Sequence, residues 1–312
     1  MEPYPTYTSE PLAGPMEPPP LGGPAEINTG QALARIDQLN PLLHAVIAVD
    51  PTAMDQARAV DASPVKGPLA GEPILIKDNI ETAGALPTTA GSLALANNVT
   101  GRDSPLVARL RAAGAVILGK ANLSEWANIR STKSISGWSA VGGQARNPYA
   151  VDRNPCGSSS GSGVAVASGM VRMAIGTETD GSVTCPAAIN GIVGMKPTVG
   201  LVSRTHIIPI SASQDTAGPM TATVREAAQL LTIIGGSDPA DAATREADER
   251  KTDYAAALDA NSLSERGAIL VDIKEFDNKD IGDNEFEVLL TEFKAGLNDY
   301  LRTSPAPIPV RS

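Results

Sequence analysis

Two serines in glycine-rich surroundings, Ser158 in CGSSSGSG and Ser182 in GTETDGS, stand 24 residues apart with an almost uncharged apolar run between them. A serine hydroxyl attacks well only when a base takes its proton and hydrogen-bond donors meet the oxyanion that forms. Glycine-rich turns can supply those donors, because residues without a Cβ let backbone N–H groups approach a ligand closely. The stretch therefore holds the parts of a serine hydrolase site. Alone, GSSSGSG is more often a flexible linker. The sequence after it, VAVASGMVRMAIG, reads as a buried helix and then a buried strand, which weakens the linker reading. A Walker phosphate loop needs a terminal Gly-Lys-Ser/Thr, and no lysine lies between Cys156 and Thr184.

The serines need a base. The chain has two histidines, and neither has a catalytic-looking context. His44 lies in LLHAVIAV, which resembles core packing, and His206 in SRTHIIPI, which resembles a turn before a short strand. The one G-x-S-x-G match, at Ser159, would need an apolar strand before it, and NPYAVDRNPC is a poor one. Lys77 closes the apolar run ILIK. Burial there would disfavour the charged ammonium and leave a neutral amine able to accept a proton. The competing reading is a lysine that snorkels to solvent or pairs with Asp78 or Glu81.

The elements that must position these groups alternate along the chain. A helix is expected over 29–40, stopping before Pro41. LHAVIAV (43–49) and PILI (73–76) read as strands, with a helix over 53–60 between them. Asp103 is expected to cap a helix that has Pro105 in its first turn and ends at Gly114, followed by the strand AVILG. ANLSEWANIR (121–130) reads as helical, as does the stretch from about Ser160 to Met170. Thr223 and Glu226 form a capping box for a helix with one apolar face. Residues 274–287 read as a charged loop and 286–302 as an amphipathic helix. Alternating strands and helices imply an α/β fold around a largely buried sheet.

Composition narrows the partners. Of 312 residues, 42% are apolar and 19% charged, which describes a globular protein. Residues 1–24 are Pro-rich and expected to be disordered; 25–312 are expected to form a single domain. The net charge of −10 argues against nucleic-acid and anionic-membrane partners. There is no uninterrupted run of 18 apolar residues and no signal-peptide pattern, so a cytoplasmic location is expected. The two cysteines, Cys156 and Cys185, flank the serine loops without any zinc-type spacing, and a disulfide between them is conceivable.

The set ILIKDN, GSSSGSG and GTETDGS, in that order, resembles the amidase signature family, which uses a Ser–cis-Ser–Lys triad. The segments AAGAVILGKANLSEWAN and AIGTETDGSVTCPAAINGIVGMKPTVGLVSR bring the chain nearest to bacterial peptide amidases, which hydrolyse the C-terminal amide of peptides. Most of the family reads GTDTGGS where this chain has Glu178 and Asp180, as the peptide amidase branch does. The resemblance implies Ser182 as nucleophile, Ser158 as bridging serine behind a cis Gly157–Ser158 bond, and Lys77 as terminal base. It further implies an oxyanion hole from the N–H groups of Thr179, Asp180, Gly181 and Ser182, with Asn128 and Ser158 against the substrate. A peptide or small-molecule amide would be hydrolysed to release ammonia, without metal or organic cofactor.

The fold it implies is a mixed central β-sheet covered by helices on both faces. Against the family pattern, the chain is expected to be shortened internally near 262–270 and truncated at its C-terminus. Two further readings therefore stand beside a peptide amidase: the glutamine-hydrolysing subunit of a tRNA-dependent amidotransferase, and an inactive truncated amidase.

Overall fold

The computed structural model describes residues 22–258 and 281–310. Most of the expected Pro-rich tail and the expected shortening near 262–270 lie outside those residues. Six strands build one mixed sheet: β1 (Val46–Val49), β2 (Pro73–Lys77), β3 (Val116–Ala121), β6 (Met173–Glu178), β7 (Val193–Gly194) and β8 (Thr216–Thr221). Their order is β1-β3-β2-β6-β8-β7. β2 runs parallel to both β3 and β6, and the remaining pairings are antiparallel. A separate pair, β4 (Trp138–Ser139) and β5 (Gly143–Gln144), lies outside this sheet.

The central strands are continuous apolar runs because both sheet faces are covered. Period-two alternation then sorts their side chains. Leu75, Val116, Leu118 and Ala174 join one core, with α1 (Ala25–Leu43), α2 (Ala53–Ala62) and α4 (Ser160–Ala167). Ile74, Ile76, Ile117, Met173 and Ile175 join the other, with α3 (Pro105–Ala112) and α6 (Val224–Ile234). The alternation that sends Leu75 to the first core sends Lys77, at the end of β2, to the α4 face.

Short helices follow: α5 (Thr184–Ile189), α7 (Ala247–Arg250) and α8 (Tyr254–Ala257). The long α9 (Ile281–Thr303) anchors through Tyr300 and Leu301, which pack with Ala90, Leu95 and Ile208. None of the described helices is long and apolar enough to cross a membrane.

Several local expectations need correcting. α1 does not stop before Pro41 but carries it in its last turn, where the ring removes only one intrahelical hydrogen bond. The chain leaves the helix at His44, which takes a left-handed φ of 51° and donates its N–H to Asn40 O. Ser104, not Asp103, is the N-cap of α3. The Asp103 carboxylate instead accepts from Ala83 N–H at 2.6 Å and Arg111 Nε at 3.0 Å. Residues 121–130 are not an α-helix: β3 extends to Ala121, and Trp126, Ala127 and Asn128 all have positive φ, from 50° to 73°. The expected charged loop is helical from Ile281 onward, as the start of α9. The capping box at Thr223 and Glu226 is formed as expected.

α4 enters the core at a backbone crossing only glycine can make. A Cβ on Gly161 would lie 2.2 Å from Ala45 O and 2.4 Å from Asn122 N. Its N–H donates to Asn122 O at 2.8 Å, tying the start of α4 to the end of β3.

Cys156, before α4, and Cys185, in α5, form a disulfide with Cα atoms 6.0 Å apart. The bridge spans 29 positions and joins the two serine-bearing segments. Closing a loop of that size removes unfolded-chain entropy worth about 3 to 4 kcal/mol. Replacing both cysteines by serine is expected to lower the unfolding free energy by about that amount. Urea titrations under non-reducing conditions check this, and coincident curves for variant and parent would contradict it.

Candidate active site

Lys77 is fully buried where β2 ends. Its Nζ lies 2.8 Å from Ser158 Oγ, 2.8 Å from Thr177 Oγ1 and 3.1 Å from Thr177 O. The parallel register of β2 on β6, Ile76 opposite Ile175, carries Thr177 to the same end of the sheet. Neither acidic neighbour in sequence takes the lysine. Asp78 faces Lys120 at 3.6 Å, and Glu81 accepts from Arg102 at 2.5 and 3.2 Å. Lys120 is held in turn by Ile80 O and Thr88 Oγ1. The reading of Lys77 as a snorkelling or ion-paired lysine is thereby overturned.

Burial lowers the Lys77 amine from its ordinary value of 10.5 to about 7, against the opposing charges of Asp215 and Glu178. Near neutrality a large share of this side chain is then uncharged.

Ser158 is also fully buried and follows a cis Gly157–Ser158 peptide bond. Its carbonyl accepts from Ser124 N–H at 3.0 Å. Gly157 passes so close to its neighbours that a Cβ would stand 2.3 Å from Ser124 Oγ. Ser159 links three parts of the site. Its Oγ donates to Thr177 O at 3.1 Å and accepts from Thr177 N–H at 3.2 Å, while its N–H donates to Ser182 O at 3.0 Å. The fold thus brings residues 77 and 158, and the segment that carries 177 and 182, together from three separate stretches of chain.

Ser182 is 7% exposed, just ahead of α5. Among the described residues its hydroxyl makes no hydrogen bond to Ser158; such links are often long before substrate binds. The turn before it contains Gly181 at φ 85°, a conformation that favours glycine. Behind the turn, the Glu178 carboxylate accepts from Val183 N–H at 2.7 Å and Thr184 N–H at 2.8 Å. Ahead of it, Thr179 Oγ1 donates to Asp215 at 2.6 Å, and Lys196 Nζ donates to Thr179 O. Partial burial, and then the charge of Glu285, push the Asp180 carboxyl above its ordinary value, against its own backbone N–H and Lys196.

Asn128 donates from Nδ2 to Ser136 Oγ at 3.2 Å, and its Oδ1 is buried with no hydrogen-bond partner. The histidines lie elsewhere: His206 Nδ1 is 3.1 Å from Asp103 O, and the His44 ring packs near Gly143.

Four residues with a hand in this geometry went unnoticed in the sequence. Thr177 and Asn79 form a chain to Lys77, with Asn79 Nδ2 donating to Thr177 Oγ1 at 3.0 Å. Asp215 and Lys196 brace Thr179. Thr177 lies within the GTETDGS segment, five positions before Ser182, so its place there was available as a signal. Asn79 closes ILIKDN and Lys196 lies in GMKPTVG, both inside segments that carry the family resemblance, but nothing local shows that they, or Asp215, reach Thr177 and Thr179.

A profile of the amidase family matches residues 28–300. The crystal structure of peptide amidase from Stenotrophomonas maltophilia superposes with a TM-score of 0.85 at 47% identity, over 93% of this chain and 66% of that one. An Arabidopsis thaliana protein named "probable amidase At4g34880" is 43% identical over 90% of this chain and 61% of its own length. A glutamyl-tRNA(Gln) amidotransferase subunit from Thermotoga maritima superposes less well, with a TM-score of 0.60 at 40% identity over 70% of this chain and 46% of that one. The chain spans from 46% to 66% of the length of these three relatives. With its fold, its three motif segments and nearly all its described residues inside the match, this chain belongs to the amidase family, the amidase-signature hydrolases.

Proposed function

We propose that this protein hydrolyses a linear carboxamide, with the C-terminal amide of a peptide as the substrate class, through an acyl-enzyme on Ser182. The observation that carries the reading is the buried Lys77 amine, lowered to about 7 and hydrogen-bonded to Ser158 Oγ at 2.8 Å.

In this reading the neutral amine takes the Ser158 proton while Ser158 Oγ takes the proton of Ser182. Ser182 Oγ bonds to the amide carbon, and the carbonyl electron pair moves onto oxygen. The N–H groups of Thr179, Asp180, Gly181 and Ser182 meet that oxyanion. On collapse the C–N bond breaks, Ser158 returns a proton to the leaving nitrogen, and Lys77 reprotonates Ser158. Ammonia departs. Water then attacks the ester by the same relay, which releases the carboxylic acid and restores Ser182. Asn128 is assigned to the substrate side, where its unpartnered buried Oδ1 can accept from an amide N–H. A tRNA-dependent glutaminase role is the weaker reading, since that likeness covers less of the chain at a lower TM-score.

Ammonia release from a peptide amide, compared with a Ser182→Ala control, is the direct test. The active chain should exceed the control by about 10⁴-fold or more. Equal rates would reject the reading and leave an inactive amidase.

Lys77→Met should abolish labelling of Ser182 by a fluorophosphonate. The proton balance also sets a pH dependence. Because the neutral amine is the active form, kcat/KM should climb about tenfold per pH unit below about 7 and level off above it. A profile flat from pH 5 to 9 would contradict Lys77 as the base. Linkage has the same sign: between about 7 and 10.5 the unfolded chain binds a proton at Lys77 that the folded chain lacks, so this residue's contribution to stability rises with pH across that window.

A further inference from the structure

We propose that Lys196 is a positioning residue for the oxyanion turn, acting through the backbone carbonyl of Thr179. The inference rests on Ser182 being the nucleophile.

Lys196 follows β7 in GMKPTVG, on a backbone with little freedom. Met195 N–H donates to Pro219 O at 3.0 Å. Met195 O approaches β8 so closely that a Cβ on Gly218 would stand 2.0 Å from it. Pro197 restricts the next step of the chain. From this platform the Lys196 ammonium donates to Thr179 O. Among the described residues it forms no ion pair, although the chain carries 35 acidic residues. Its hydrogen bond goes to a neutral peptide carbonyl beside the candidate site.

That contact governs the following N–H. In a trans peptide the C=O and N–H point in opposite directions. With Thr179 O held toward Lys196, the Asp180 N–H is turned away from it and polarised by the cation; in the free chain that N–H meets Asp180's own carboxylate, which an oxyanion would displace. Thr179 is held from a second side, through its Oγ1 on Asp215, which also accepts from Ile210 N–H at 2.7 Å and Ser211 N–H at 2.9 Å. The next part of the turn has no comparable packing: among the described residues no heavy atom beyond its chain neighbours lies within 4 Å of a Cβ built on Gly181. Beyond Ser182, Glu178 holds the start of α5. The turn is therefore pinned at both ends, and among the described residues Lys196 supplies the cationic pin.

The test measures amide hydrolysis and inhibition by a peptide aldehyde, whose hemiacetal carries the oxyanion, in the full chain. Lys196→Met should lower kcat about 10- to 100-fold with KM changed by less than about twofold. Aldehyde affinity should fall by the same factor as kcat/KM, a loss that general loosening of the fold would not match. Lys196→Arg should regain most of it, and Lys196→Gln, a neutral donor, should fall between; these two carry the test if the methionine variant does not fold. Unchanged kcat in the methionine and glutamine variants, or unchanged aldehyde affinity beside a lowered kcat, would overturn the role. A parent chain no more active than Ser182→Ala overturns the amidase reading and this inference with it. An active parent indifferent to Lys196 overturns this inference alone.

Discussion

The site depends on one constraint: an amine at the end of a central strand, fully buried and without a carboxylate of its own among the described residues. An isolated ammonium in such a place is strongly disfavoured, and the usual response is loss of the proton. Lys77 has hydroxyls and a carbonyl as neighbours, from Ser158 and Thr177, rather than a counter-ion. Asp78 and Glu81 are occupied by Lys120 and Arg102. Asp215 and Glu178 act only through their charge, and burial outweighs them. The outcome is a base near neutrality made without histidine.

Bringing two hydroxyls to that amine needs close backbone approach. Gly161 lets α4 start against the β3 terminus, and Gly157 lets the preceding loop pass Ser124. Ser159 then joins that loop to the carbonyl of Ser182 and to both backbone groups of Thr177. The Cys156–Cys185 bridge closes the same two segments covalently. Three stretches far apart in the chain are held as one unit by short-range bonds, which suits a proton relay, where small misplacements cost much of the rate.

Much of this was legible in the residues. The apolar runs PILI and AVILG marked strands because a sheet covered on both faces leaves no polar positions to interrupt them. The Thr223–Glu226 box was readable because both its bonds are local. The partners of Lys77 were not readable. Asp78 and Glu81 are near in sequence, but the fold gives them to Lys120 and Arg102, and pairings set by tertiary structure leave no local trace. Asp103 illustrates the same limit: its spacing suits an N-cap, yet its carboxylate goes to Ala83 and Arg111. Asn128 readily takes a left-handed φ, but at Trp126 and Ala127 it runs against the residue type and is imposed by the surroundings. Lys196 and Asp215 reach Thr179 from other segments, so only the folded chain reveals them.

The relay turns on a Lys77 amine that loses its proton near pH 7, so that about half of it is neutral there. NMR titration of the lysine ε-carbon resonances in 13C-labelled protein, with Lys77→Met to assign the signal, tests it most directly. The Lys77 resonance should titrate near 7, well apart from the other lysines. A midpoint near 10.5, among the surface lysines, would contradict the proposed base and the relay built on it.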